Sequence, residues 1–324
     1  MLKLNRRAAV ALGLAAAFGS TAPAFAQADY PNKPITLVVS YAAGGGTDAI
    51  ARLFAARLEQ ALGGRVIVEN RPGAAANIGT EVVAEAEPDG YTLLIGNQGP
   101  MVVNPHLFEL AHDPAEALDP IAMIADASLV VVVGPKQPLA TLGELVEAAK
   151  AQQLVYGSAG NASASHLASV LLGQTAGIEI RHVPYQGAGP AVNDLVGGHI
   201  DFMVTTIPSV VGLVQDGTLT ALAVTGSERF GQLPDVPTAQ EAGVEGYTAS
   251  AWYGLLGPKG LPEDVRQRLA DATAEVLADP AFLEKLANDG GVPSTLVGAD
   301  FAAYMVQERA RWGEVVAAAE ISVE

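Results

Sequence analysis

Residues Ile35-Thr36-Leu37-Val38-Val39-Ser40-Tyr41-Ala42-Ala43-Gly44-Gly45-Gly46-Thr47-Asp48 read as a buried strand that runs into a glycine-rich loop. A helix follows, with Ile50, Leu53, Phe54, Leu58 and Leu62 recurring at helical spacing on one face. The same device returns later. Leu154-Val155-Tyr156 runs into Gly157-Ser158-Ala159-Gly160-Asn161-Ala162-Ser163 and then a helix. Small residues let a ligand approach the backbone, and a helix N-terminus offers unpaired N–H groups with about half a positive charge. Each loop is therefore a potential anion site without a basic side chain. In doubly wound sheets such loops lie at the carboxyl ends of strands, where ligands bind.

Working outward, short β-branched runs alternate with amphipathic helices, the pattern of α/β architecture with parallel sheets. Strand signals recur at Arg65 to Glu69 and Tyr91 to Ile95, with a helix from Ile78 to Ala86 between them. Ile121 to Val133 and Ala249 to Leu256, ending at Gly134-Pro135 and Gly257-Pro258, read as two strands crossing between lobes. Between them lies a second alternating unit: helices at Leu142 to Lys150, Ser163 to Gln174 and Gly189 to Val196, and strands at Leu154 to Tyr156, Glu179 to His182, His199 to Val204 and Leu219 to Val224. Two crossings predict a two-lobed protein: residues 27–128 and 252–324 form lobe 1, and residues 129–251 form lobe 2. The C-terminal part is helical, with Pro262 in a first turn and Asp300 as the expected cap of a last helix.

The first 26 residues read as an export signal. Lys3, Arg6 and Arg7 precede an apolar stretch from Ala8 to Phe18, and Ala24-Phe25-Ala26 is an A-x-A cleavage pattern. Cleavage near Ala26 would release a periplasmic protein starting near Gln27, since about a dozen apolar residues fall short of the roughly 20 that span a bilayer. The paired Arg6-Arg7 suits the twin-arginine route and the general route alike. The sequence has no cysteine, which excludes disulfides, thiolate metal sites, thiol nucleophiles and a lipidated N-terminal cysteine. Removing the leader leaves 15 basic against 35 acidic residues, a net charge of −20. That field repels nucleic acid and anionic lipid, so an anionic ligand must be held by local dipoles.

Several segments together resemble the extracytoplasmic solute-binding proteins of tripartite tricarboxylate transporters, the Bordetella uptake family. They include Tyr30-Pro31-Asn32-Lys33-Pro34-Ile35, Gly44-Gly45-Gly46-Thr47-Asp48, Val68-Glu69-Asn70-Arg71-Pro72-Gly73-Ala74 and Pro88-Asp89-Gly90-Tyr91-Thr92-Leu93-Leu94. Ser158-Ala159-Gly160-Asn161, His182-Val183-Pro184-Tyr185-Gln186-Gly187, Leu195-Val196-Gly197-Gly198-His199-Ile200-Asp201 and Leu233-Pro234-Asp235-Val236-Pro237-Thr238 follow in order. The resemblance implies a type II Venus-flytrap binding protein, each lobe a mainly parallel sheet flanked by helices. It would close on a small organic carboxylate and deliver it to integral-membrane permease subunits, as a monomer without a cofactor. It also implies that the carboxylate is gripped between Tyr41 to Asp48 and Ser158 to Ser163, through backbone N–H groups and ordered water. Two departures stand out: Ala162 where relatives commonly have Gly, and Ser165 where they often have Pro.

The expected ligand set is thus Tyr41, Ala42, Gly44, Gly45, Gly46, Thr47 and Asp48 in the first loop, and Ser158, Ala159, Gly160, Asn161 and Ser163 in the second. Asn97, Thr205 and Thr206 stand at further strand ends, and Tyr185 offers an aromatic wall. Some relatives place an acidic residue at the Thr205 position, suited to an amine; its absence here favours an organic acid. The five histidines show no metal-ligand spacing. Arg71, beside Pro72, reads as a structural ion-pair or turn anchor. A rival from another class is an exported serine hydrolase of small esters or amides using Ser158 and His166, although Ser158 lacks a G-x-S-x-G setting and no third member of a triad is identifiable.

Overall fold

The computed structural model describes residues 30–318, so the export signal lies outside the described residues. The first unit comprises β1 (Ile35–Val39), α1 (Gly46–Leu62), β2 (Val66–Asn70), α2 (Asn77–Ala84) and β3 (Thr92–Asn97). After a one-turn helix α3 (Pro114–Ala117) comes β4 (Leu118–Val133). The second unit comprises α4 (Leu142–Ala151), β5 (Leu154–Ser158), α5 (Ala164–Ala176), β6 (Ile180–Pro184), α6 (Ala188–Gly197), β7 (Phe202–Thr206), α7 (Val211–Gln215) and β8 (Thr220–Val224). The chain then returns through β9 (Ser250–Pro258), α8 (Glu263–Ala278), α9 (Pro280–Asn288), β10 (Gly291–Pro293) and α10 (Ala299–Ala318). Among the described residues no helix is long and apolar enough to cross a membrane.

The strands form one curled mixed sheet in the order β2-β1-β3-β9-β4-β7-β5-β6, with β8 and β10 also on β4. Each end of the sheet is a parallel trio: β1 with β2 and β3, and β5 with β6 and β7. The long strands β4 and β9 run antiparallel between the trios. Strand β4 holds 16 residues, about 50 Å of extended chain. Up to Ser128 it pairs with β9, and from Leu129 onward with β7. The result is an α/β fold in which one curled mixed sheet is flanked by helices; only the outer trios are parallel, so the expectation of mainly parallel sheets holds at the two ends and gives way in the middle, where every pairing of β4 and the β3–β9 pairing are antiparallel.

Sequence and structure differ at a few points. The expected strand from His199 starts only at Phe202, because α6 closes through the His199 amide onto the Asp194 carbonyl. Asp201 then turns its carboxylate onto the Val155 amide at 2.7 Å. Asp300 does not cap the last helix; it lies inside its first turn. Helix α9 went unread because nine residues barely establish a period, yet Asp279 caps it by accepting from the Ala281 amide. Phe282 and Leu286 of α9 are fully buried.

Candidate functional site

Three helix starts converge where the trios end. Helix α1 begins at Gly46 with Gly45 before it and no side-chain cap. Helix α5 begins at Ala164, with the Ser163 hydroxyl accepting from the His166 amide. Helix α6, which sequence reasoning did not place at the site, begins at Ala188 behind Gly187, again without a side-chain cap. The first N–H groups of a helix have no partner within it. Gly46, Thr47, Ala164, Ser165 and Ala188 from these first turns all line one small cavity of about 30 Å³. With some 10–15 Å³ needed per water, that space suits a group the size of a carboxylate.

The expected residues divide into three groups. Tyr41, Gly45, Gly46, Thr47, Asn97, Ala159, Ser163, Thr205 and Thr206 line the small cavity. Tyr41 and Ala159 also border a second cavity of about 270 Å³, where Gly160, Asn161 and Tyr185 lie. Ala42, Gly44, Asp48 and Ser158 line neither and act on the loops instead. The Ala42 amide donates to the Gln186 carbonyl at 2.9 Å, tying the first loop to the segment before α6. Buried Asp48 accepts from the Gly44 amide at 3.1 Å and from Asn70 Nδ2 at 3.0 Å, and pairs with Arg52 at 2.9 Å. Burial alone would raise its carboxyl, but these bonds hold it below the ordinary range. Tyr185 lines the larger cavity, and its hydroxyl donates to Asp194 at 2.6 Å.

The second loop spends much of its own polarity internally. The Ala159 amide donates to Ser165 Oγ at 2.8 Å, the Gly160 amide to Ser158 Oγ at 3.1 Å, and the Ala162 amide to His166 Nδ1 at 3.0 Å. Ala162 and Ser165, the two positions singled out in the sequence, act here. Ser165 supplies an acceptor that a proline could not, and Ala162 adopts a left-handed φ of 59°, a conformation that costs a residue with a Cβ about 1–2 kcal/mol.

Ser158 Oγ meets His182 Nε2 at 2.6 Å rather than His166. His166, His182 and Tyr156 stack, the imidazole centroids 4.0 Å apart. Burial pushes His166 down to about 4; burial and the neighbouring His166 push His182 down to about 3. Ser158 is fully buried, so no ester can reach its hydroxyl, and the hydrolase reading fails on access. His112 and Glu81, 2.5 Å apart, form with Glu85 an exposed cluster outside both linings.

Neither cavity has Lys, Arg, His, Asp or Glu in its lining. Arg71 pairs at 2.5 Å with Glu69 and stays half-exposed. Sequence reasoning missed Tyr253, whose buried hydroxyl has no hydrogen-bond partner and which lines the small cavity with Ala251. Strand alternation could have found it, since Ala251 and Tyr253 share one face of β9. Also missed was the wall of the larger cavity formed by Gly73 and Ala74 to Ala76, all at positive φ.

Residues 50–321 match the model of the tripartite tricarboxylate transporter family receptor. The periplasmic binding protein BugD superimposes with a TM-score of 0.86 at 33% identity, covering 90% of this chain and 99% of that one. Rpa4515 of Rhodopseudomonas palustris, solved with adipate, gives 0.87 at 33% identity over 91% and 99%. MatC of the same organism, solved with bound malate, gives 0.83 at 32% identity over 89% and 100%. The chain belongs to the tripartite tricarboxylate transporter receptor family.

Proposed function

We propose that this protein is a periplasmic solute receptor that closes two lobes on a small organic carboxylate and presents it to an integral-membrane permease. The observation that carries the reading is the meeting of three helix N-termini, two of them uncapped by side chains, at a carboxylate-sized cavity with no ionised residue in its lining. Backbone dipoles there supply the positive potential that the acidic surface denies. One carboxylate sits in the small cavity, and the rest of the molecule extends past Tyr41 and Ala159 into the larger one. With no acidic residue in either lining to pair with an ammonium, an organic acid fits better than an amino acid. The related proteins solved with adipate and malate hold ligands of that class.

Lobe 1 comprises residues 27–128 and 252–324 and lobe 2 residues 129–251; the change of β4 partner between Ser128 and Leu129 supports the first boundary. The leader is cleaved near Ala26, leaving a protein without a lipid anchor, and N-terminal sequencing of secreted protein checks this. The ligand experiment is a thermal-shift screen over adipate, malate, tricarboxylates, aromatic acids and nicotinate. At 100 times Kd a ligand adds about 2.7 kcal/mol of stability. Stabilisation by methyl esters but by none of the free acids would overturn the reading.

A further inference from the structure

Strand alternation separates a third cavity from the carboxylate cleft. Ala251 and Tyr253 face the cleft, whereas Ser250 and Trp252 line a pocket of about 530 Å³ on the other face of β9. Asp126 of β4 is the register partner of Trp252, so both stand on that face. Helix α10 closes the pocket with Glu308, Arg311 and Trp312. The volume lies within the 300–1,000 Å³ usual for small-molecule sites.

Two buried polar atoms of this pocket lack hydrogen-bond partners: Trp252 Nε1 and Asp126 Oδ1. Trp252 is only 2% exposed, so its N–H is a donor left unmatched in the interior. Such groups are costly unless something completes them. The other carboxylate is already satisfied, Glu308 accepting from Arg311 at 3.1 Å and from Trp312 Nε1 at 3.0 Å. Arg311 is neutralised by that pair, and its mostly exposed side chain lies at the rim, 5.5 Å from the Trp312 ring. What is left uncompensated is one carboxylate oxygen and one indole N–H; the rings themselves are packed, Trp252 edge-on against Phe301 and Tyr304 and Trp312 under Arg311. Burial raises the Asp126 carboxyl, and a cation beside it would favour the ionised form.

We infer that this pocket, on the opposite face of the crossing strands from the carboxylate cleft, binds a small organic ammonium that also carries an acceptor oxygen, such as an amino alcohol. The ammonium meets Asp126, and the oxygen accepts from Trp252 Nε1. The negative surface, 35 acidic against 18 basic residues, enriches cations near it. This inference does not depend on the identity of the carboxylate.

The sequence contains two tryptophans, and both line this pocket, so intrinsic fluorescence reports on it directly. Ethanolamine and choline are titrated into the full mature protein, with 3,3-dimethyl-1-butanol as the uncharged counterpart of choline. The expected result is a saturable change in tryptophan emission with at least one of the two cations and at least tenfold weaker binding of the neutral alcohol. Asp126→Asn, which keeps the shape and removes the charge, should weaken the cation at least tenfold, about 1.4 kcal/mol. No saturable response to either cation, or equal binding of the neutral alcohol, overturns the inference. The comparison of cation with neutral alcohol on the unaltered protein decides the matter even if the variant fails to fold.

Discussion

The backbone of Gly46 packs directly against the hydroxyl of Thr206: a Cβ built on Gly46 would stand 2.1 Å from Thr206 Oγ1. These residues begin α1 and end β7, on opposite sides of the cleft, so only a glycine lets the two trios come this close. Gly46→Val should leave each lobe folded but block this approach, weakening carboxylate binding at least tenfold, about 1.4 kcal/mol. Calorimetric titration with the acid giving the largest thermal shift checks it. Arg71→Ala, removing a cation outside both cavities, should leave Kd within twofold; the reverse ranking would mean that a guanidinium holds the anion.

Tyr253→Phe has an unusual expected signature. Its hydroxyl is buried and unpartnered, so removing it should leave the ligand-free protein as stable as before or up to about 1–3 kcal/mol more stable. Affinity for the carboxylate should nevertheless fall, because the phenol is a donor at the cavity. Urea unfolding without ligand, paired with titration, separates the two effects, and unchanged affinity would remove Tyr253 from the site.

Ser165→Ala deletes the acceptor of the Ala159 amide and the neighbour of Ser163 Oγ at 3.0 Å. The bond is part-buried, so stranding its donor costs at most about 1–3 kcal/mol. Chemical denaturation should show a loss of that size together with weaker ligand binding. Loss of stability alone would mean that the loop is braced by other bonds in the bound state.

Acid should unfold the protein partly through the stacked histidines. Unfolded imidazoles titrate near 6.5, whereas His166 and His182 are held at about 4 and about 3 by burial. Between those values the unfolded chain binds more protons, so the stabilisation is complete above pH 6.5 and is lost as pH falls toward 4 and 3. Each histidine contributes up to about 1.4 kcal/mol per pH unit to that slope. Unfolding free energies at pH 7, 5.5 and 4.5 should decline accordingly, and His182→Gln should have roughly half the slope. An unchanged slope in that variant would assign the acid sensitivity elsewhere.

The strands and both loops were legible because a β-branched run ending in Gly-rich residues is a local pattern, complete within a dozen positions. The start of α6 was read to within one residue, but its place at the site was not, since its neighbours Ala42 and Gly45 lie far away in sequence. Tyr253 was hidden for a related reason: its face depends on register with strands far away in sequence. Nothing local announces the left-handed run at Ala74 to Ala76, whose residues individually favour the right-handed helix. The assignment of His166 to Ser158 also failed on distance in sequence, since the true partner, His182, arrives on the next strand.

On the proposed mode of binding, a grip made from the starts of α1, α5 and α6, without a cationic side chain, would exist only while the three are held together. Separating the trios scatters its donors and returns them to water, and no ion pair has to be pulled apart for the cargo to leave. Unloading is then governed by mechanical geometry: whatever pries the lobes apart dissolves the binding site itself. Capture can be firm and release rapid without either a proton or a competing anion.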